Sequence, residues 1–373
     1  MKRFPVPRAA ECRTDVSSWD MHDVLRGEGI LSPARLIAVA AAVLAVCDLT
    51  VAQVTPSVDT LEAELLSRPP AVGQPGFMQP WGEHLVVSDW LGDPNLHVLD
   101  RATGELIVSF GRIGRGPGEF RFVLAGIQRP AHDTTAIWVF DGRKLTRIER
   151  PGHIGREPTT VDLTAIPLVL RAVWMDSTTI LGVTWEPPDR RFVFFDETGS
   201  VIRTVSGDFL GHERVPVSQR AEASAQFSLC LQPGGDRFAL LYKSAAKIEV
   251  YDRRAKHVTD AQVPYVIDAT FEQVDGEFRF VEEWITYQSC WASSGYLYAL
   301  YSGDDFRTAS AGTLGGEEIH VFDWASGRLV RKLYLDTRIF GFSVDEDSGW
   351  LYGGSLQDAG IYRFRLPVGG REW

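Results

Sequence analysis

Short apolar runs recur along the chain beyond residue 76, and turn-forming residues separate them. No long helical periodicity follows Gln53; instead, runs rich in Val, Ile, Phe, Tyr and Trp alternate with Gly, Pro and Asp. Runs of this length and composition, bounded by such residues, are typical of β-strands. The pattern therefore predicts an all-β chain.

Two kinds of run alternate in a constant order, and each kind occurs six times. The first kind comprises His84–Trp90, Ala136–Gly142, Thr179–Trp185, Arg237–Lys243, Gly295–Tyr301 and Gly349–Ser355. The second kind comprises Leu96–Asp100, Leu145–Glu149, Phe192–Asp196, Ile248–Asp252, Ile319–Asp323 and Ile361–Arg365. Successive copies of the second run end 42 to 71 residues apart. A repeat near 50 residues built from short strands is typical of propeller blades.

We therefore predict a six-bladed β-propeller over residues 76–373, with four antiparallel strands in each blade and the repeats lying between Gly76 and Arg365. The two runs are the second and third strands of a blade. Glu105–Phe110 and Arg328–Leu335 are predicted fourth strands of blades one and five. The sixth blade ends near its third strand, so residues 53–75 are predicted to supply a closing strand from within Val54–Leu66. Such closure removes an exposed sheet edge. A β-sandwich with accidental repetition is the alternative.

Several of the second runs lead directly into a tight turn. Asp100, Asp196 and Asp323 are each followed by a glycine three or four residues later. An aspartate accepts hydrogen bonds from the backbone of its own turn, and glycine supplies positive φ. We interpret these aspartates as turn-forming residues.

Residues 1–52 are predicted to be a leader, with a signal-like segment at 35–52. Leu36–Val46 is an apolar stretch of eleven residues, which is short for a membrane span and suits the core of a secretory signal. Thr50, Val51 and Ala52 suit a cleavage site after Ala52. An extracytoplasmic protein is therefore expected; a membrane anchor or a buried helix is the alternative, and Met21 is an alternative start.

Cys47 suggests lipid attachment as an alternative to cleavage after Ala52. Leu44-Ala45-Val46-Cys47 resembles a bacterial lipobox, in which the cysteine is lipidated, although valine replaces the usual small residue before the cysteine. Membrane association is expected only through the leader or such an anchor.

Charge and cysteine content narrow the classes of partner. The formal net charge of −11 argues against a nucleic-acid partner, because phosphate binding needs a basic face. Of the four cysteines, Cys230 and Cys290 occupy similar places in the first strands of adjacent blades. They could form a disulfide in an oxidising compartment or remain two buried thiols.

The string Phe110-Gly-Arg-Ile-Gly-Arg-Gly-Pro-Gly-Glu-Phe120 is the most distinctive motif of the chain. It resembles the signature between blades of NHL-type propellers. Together with Ser88-Asp-Trp and His97-Val-Leu-Asp, it makes the chain similar to the bacterial TolB-like or NHL-like six-bladed propeller family. The resemblance implies an exported or lipid-anchored propeller with no generally assigned activity.

The long connections should gather on one face. In a blade, the connection between the second and third strands lies on the same face as the connection to the next blade, and the long segments fall in these two groups. They are Trp90–Pro94, Trp185–Arg190, Ser206–Ala223, Pro264–Trp284 and Gly303–Gly316. Function usually occupies the elaborated loops of a rigid scaffold. The candidate ligand-face residues are Trp90, Asp93, Arg112, Arg115, Trp185, His212, Arg214, Asp304, Asp305 and Arg307.

Enzyme signatures are weak. Asn95 is the single asparagine, the Ser-x-Asp-x-Gly-x-x-Trp turns of sialidases are absent, and so is a Gly-x-Ser-x-Gly elbow. The sequence favours a non-catalytic propeller without a cofactor that binds a protein, small-molecule or glycan partner. The alternative is a hydrolase or lyase with a divalent cation such as Ca²⁺ in the central channel.

Overall fold

The computed structural model describes residues 55–69, 71–116, 118–121, 126–151, 158–184, 190–207, 227–281, 283–310 and 313–367 of the chain. The predicted leader and Cys47 lie outside these residues. Every regular element of the described residues is a strand. Within them, no helix is long and apolar enough to cross a membrane.

Two strands, β1 (Ser57–Leu61) and β2 (Ala63–Ser67), precede the blades and join blades that form later in the chain. Blades one to three each contain four consecutive antiparallel strands. The strands are β3 (Pro75–Trp81), β4 (His84–Asp89), β5 (Leu96–Asp100) and β6 (Leu106–Phe110); β7 (Gly126–Gln128), β8 (Ile137–Phe140), β9 (Lys144–Ile148) and β10 (Thr160–Asp162); and β11 (Val169–Trp174), β12 (Ile180–Thr184), β13 (Phe192–Phe195) and β14 (Val201–Val205).

Blades four to six continue the same order, with a two-stranded hairpin before blade five. Blade four contains β15 (Phe227–Leu231), β16 (Arg237–Tyr242), β17 (Ile248–Asp252) and β18 (His257–Asp260), and the hairpin contains β19 (Thr270–Val274) and β20 (Glu277–Val281). Blade five contains β21 (Trp284–Ala292), β22 (Tyr296–Asp305), β23 (Gly316–Asp323) and β24 (Leu329–Ile339), and blade six contains β25 (Gly341–Asp345), β26 (Trp350–Gly354) and β27 (Ile361–Arg365). The predicted six-bladed, all-β fold is confirmed.

The N-terminal strands close the ring. Strand β2 pairs antiparallel with β27, so that Ala63 lies opposite Phe364 and Leu65 opposite Tyr362. It is the predicted fourth strand of blade six. Strand β1 was not predicted: it pairs parallel with β24 and adds a fifth strand to blade five.

The hydrophobic core is divided among the contacts between blades. Six clusters of buried residues each combine side chains of two adjacent blades. Within β4, Leu85 and Val87 pack toward blade six, whereas Val86 packs toward blade two. Because both faces of a blade are covered at its second and third strands, these strands are nearly continuous apolar runs rather than an alternation of apolar and polar residues.

Blade five and the segment that precedes it differ in detail from the prediction. Strand β22 continues through Gly303 and Asp305, which were expected in a loop, because Ile285 and Trp284 of β21 pair with Asp304 and Asp305. The connection expected at Pro264–Trp284 contains the β19–β20 hairpin. Asp275 and Gly276 form its turn with positive φ at both residues, as such two-residue turns require.

The turns after the third strands have the predicted chemistry. Asp100 Oδ1 accepts hydrogen bonds from the amides of Ala102 and Thr103, at 2.9 and 2.8 Å. The aspartates 196 and 323 bind their turns in the same way.

The glycines of two of these turns also touch the preceding blade. A Cβ on Gly104 would lie 1.8 Å from the Leu66 carbonyl oxygen, and one on Gly199 would lie 1.9 Å from the Asp162 oxygen. These turns therefore serve as contacts between blades as well as chain reversals.

Candidate binding faces of the propeller

The antiparallel order of strands divides the connections between two faces of the ring. We call the face with the second-to-third and interblade connections the long-looped face, and the other the short-turn face. Among the described residues, Trp90–Pro94 connects the second and third strands of blade one and so belongs to the long-looped face as predicted. Blade two differs, because residues 129–136 connect its first and second strands and lengthen the short-turn face.

A buried aspartate organises the long-looped face of blade one. Asp89 ends β4, and its carboxylate accepts hydrogen bonds from the amides of Gly73, Gln74, Leu91 and Gly92, at 2.6, 3.1, 3.2 and 3.0 Å. Burial by itself raises the pKa of Asp89, but His97 and these amides outweigh it and lower the pKa to about 2. Asp89 therefore holds its own loop and the segment entering blade one in one arrangement.

Blade two repeats this device. Asp141 directly follows β8 and is buried. Its carboxylate accepts hydrogen bonds from the backbone amides of Arg143 and Lys144 in its own turn, at 3.1 and 3.0 Å. It also accepts one from the backbone amide of Arg121, in the segment entering the blade, at 3.4 Å. Neither aspartate was among the predicted site residues, although an Asp near the end of the first kind of run, in His84–Trp90 and Ala136–Gly142, was a visible signal.

The glycine-rich motif forms an anchored loop with an exposed tip. Phe110 and Phe120 are buried at its two ends in the core between blades one and two. Gly111 adopts a φ of 81°. The side chains of Arg112 and Arg115 are exposed. The motif is thus a structural link that presents two guanidinium groups to solvent.

Trp90 and Asp93 lie in the loop between β4 and β5, beside this motif. The Trp90 ring packs edge-on against Phe340, with centroids 4.6 Å apart, and so joins blade one to blade six. Asp93 Oδ1 accepts a hydrogen bond from the Ile113 amide at 3.4 Å, which links the two loops. Both residues therefore position the loops, and the exposed tip of Leu91 lies between them in the chain.

Asp304, Asp305 and Arg307 lie together at the tip of blade five. Asp304 forms an ion pair with Arg338 and accepts a hydrogen bond from Ser302 at 2.6 Å. Arg307 donates to Asp305 at 2.8 Å. These charges are largely balanced within the tip. Arg338, which completes the group, was missed because it follows the predicted end of its strand.

The remaining predicted face residues, Trp185, His212 and Arg214, lie outside the described residues. Arg112, Arg115, Trp90 and Asp93 gather at blade one, whereas the charged tip belongs to blade five.

The short-turn end of the central channel contains a cavity of about 210 Å³. First strands of all six blades line it, with residues of their following turns such as Ala131, Met175 and Pro233. Cys230 and Cys290 form a disulfide on its wall, with Cα atoms 6.1 Å apart. This bond joins the first strands of blades four and five.

Two buried networks of ionisable side chains stabilise contacts around blades four and five. Between blades three and four, Arg191 donates to Glu249 at 2.6 Å, and Tyr242 donates to the same carboxylate at 2.7 Å. Burial alone would raise the pKa of Glu249, but the Arg191 and Lys247 charges lower it to about 2.

The second network lies within blade five. His320 contacts Tyr287 through Nδ1, at 2.9 Å, and Glu318 through Nε2, at 2.8 Å. Burial lowers the pKa of His320. Tyr287 and His320 are fully buried, so a substrate cannot reach them without opening the blade.

Among the described side chains, no group of three or more His, Cys, Asp or Glu residues is arranged to hold a metal ion.

A comparison with family models agrees with the fold. The family described as TolB-like 6-blade propeller-like matches residues 72–347. Among solved structures, the Cps50 (Swd1) β-propeller domain of Myceliophteria thermophila is 11% identical, with a TM-score of 0.47, over 82% of this chain and 100% of that domain. This likeness is too low to carry a functional argument. No curated protein matches the chain.

Proposed function

Because the chain belongs to the TolB-like 6-blade propeller-like family, we propose that it is a non-catalytic, extracytoplasmic scaffold that binds a protein partner on its long-looped face. Members of this family are typically periplasmic. The signal-like segment at 35–52 supports the same location.

One observation carries the binding proposal: two fixed loops of blade one expose apolar and cationic side chains together. We call Leu91, Arg112, Ile113 and Arg115 the blade-one patch. Leu91 and Ile113 are 74% and 52% exposed. The hydrogen bond from the Ile113 amide to Asp93 links the two loops, and Asp89 fixes the first of them.

Exposed apolar groups on fixed loops are characteristic of interaction surfaces, because ordering such loops costs little on binding. The two guanidinium groups suit carboxylates of a partner. A partner surface that combines apolar side chains with acidic ones therefore fits the patch. Arg112 and Arg115 give this patch two exposed positive charges in a chain whose net charge is −11.

Site-specific photocrosslinking in the native host tests the proposal. A benzophenone amino acid at Arg115 lies on the long-looped face, and one at the exposed Glu197 lies in a turn of the short-turn face. We expect the position 115 probe to yield a discrete protein adduct that Arg112→Glu weakens, and the position 197 probe to yield none. Adducts at 197 alone, or none at 115, would contradict the proposal.

A further inference from the structure

We propose that the cavity at the short-turn end of the channel binds a small organic carboxylate with an aromatic or branched apolar body. This site lies at the other end of the channel from the blade-one patch. Its test is therefore independent of the protein-binding function proposed above.

The cavity is lined by positively charged side chains. Its lining contains two charged residues, Arg129 and Arg171, and none of the described lining residues is acidic. Arg129 is exposed at the mouth, where its Nε donates to the Thr134 carbonyl oxygen at 2.9 Å. The cavity therefore presents positive charge in a chain whose net charge is −11.

Arg171 lies deeper, on the first strand of blade three. Its Nη1 donates to the Leu170 carbonyl oxygen at 2.8 Å, and no carboxylate of the described residues forms an ion pair with it. Burial lowers the pKa of Arg171 to about 10, so the group remains a cation at neutral pH. Arg171 is partly buried. Charges withdrawn from water are normally paired in proteins, and a guanidinium has five donors arranged to bind a carboxylate in two places.

Hydrogen bonds from blade two hold the strand that carries Arg171 in place. Gln128 donates to the Ala172 carbonyl oxygen at 3.1 Å and accepts from the Trp174 amide at 2.8 Å. These two bonds fix the backbone on both sides of position 173. The guanidinium is therefore presented from a rigid strand, as a binding site requires.

The remaining walls define the body of the ligand. They include four aromatic residues, Phe77, Trp174, Trp291 and Phe342, together with the Cys230–Cys290 disulfide. A concave site that combines apolar walls with an oriented polar group is the usual form of a small-molecule site. A hydrated inorganic ion would not make apolar contacts with these walls, whereas a carboxylate with an apolar body would contact them and pair with Arg171.

Isothermal titration calorimetry on the mature protein tests this site with a matched pair of probes, 3-phenylpropionate and its neutral amide. We expect saturable binding of the carboxylate and binding of the amide at least about tenfold weaker, because a hydrogen bond to a charged group is lost. Inorganic phosphate should bind more weakly than the carboxylate.

Two variants locate the binding. Arg171→Gln should weaken 3-phenylpropionate binding roughly 10- to 100-fold and should raise the melting temperature of the unliganded protein, since an unpaired cation is removed. Arg254→Gln, on the exposed surface, should change neither. Absence of carboxylate binding, equal affinity for the amide, phosphate binding as tight as the carboxylate, or unchanged affinity in Arg171→Gln would overturn the proposal. The comparison of probes on the wild-type protein decides the question even if Arg171→Gln does not fold.

Discussion

Replacing Gly199 with alanine tests whether the aspartate–glycine turns hold neighbouring blades together. Gly199 has a φ of 85°, and a Cβ there would lie 1.9 Å from the Asp162 carbonyl oxygen of blade two. Gly142 is a matched control, because its φ is 86° and no atom lies within 4 Å of its Cβ position. Both substitutions place alanine in the left-handed region, but only the first forces two blades apart.

The backbone term alone should cost each variant about 1–2 kcal/mol. Gly199→Ala must also displace β10, whose Val161 is buried in the core between blades two and three. Overpacking of this kind adds about 1–3 kcal/mol. We therefore expect urea unfolding to show a loss of about 2–5 kcal/mol for Gly199→Ala and about 1–2 kcal/mol for Gly142→Ala. Equal losses in the two variants would refute the role of the turn as a contact between blades.

Three further predictions concern buried groups. Glu249→Gln should lower the free energy of unfolding by about 3–5 kcal/mol at pH 7, because Arg191 loses the buried carboxylate that it pairs with. The pKa of Glu249 is lowered from 4.5 to about 2, so the carboxylate stabilises the fold above pH 4.5 and this stabilisation is lost as the pH falls toward 2. Urea titrations should therefore show that the stability of the variant depends less on pH between these values than that of the wild type. Replacing Cys230 and Cys290 with serine should cost up to about 4 kcal/mol in thermal or urea unfolding, from the loop of 60 residues that the bond closes. Asp89→Asn should speed hydrogen exchange at the Gly73 amide and destabilise blade one by about 1–3 kcal/mol, because the amide group cannot replace both carboxylate oxygens as acceptors.

The blades could be predicted because their local chemistry and their packing agree. Second and third strands are buried on both faces, so each is a run of apolar residues that distinguishes it from a solvent-exposed loop. The turn aspartates, such as Asp100 and Asp196, act on their own backbone and are therefore visible in local sequence. The closing strand β2 could be predicted because each blade needs four strands, whereas the C-terminal repeat supplies only three and leaves β27 without an outer partner.

Features that depend on contacts between distant residues could not be predicted in this way. Strand β1 is mostly polar because only Leu61 enters the core, and nothing in its sequence indicates a parallel partner. Gly303 and the two aspartates after it have low strand propensity, yet Asp304 and Asp305 pair with β21, and Gly303 lies at an irregularity of the pairing with a φ of 75°. Arg171 stands in an ordinary strand sequence, and its position in the channel depends on the curvature of the whole ring.

The proposed function requires that this propeller act outside the cytoplasm and bind a protein through the blade-one patch. Photocrosslinking from position 115 in the native host, combined with separation of its extracytoplasmic and cytoplasmic fractions, tests both parts in one experiment. We predict a discrete adduct in the extracytoplasmic fraction that disappears when Ile113 is replaced with aspartate. An adduct confined to the cytoplasmic fraction, or one that Ile113→Asp leaves unchanged, would contradict the account.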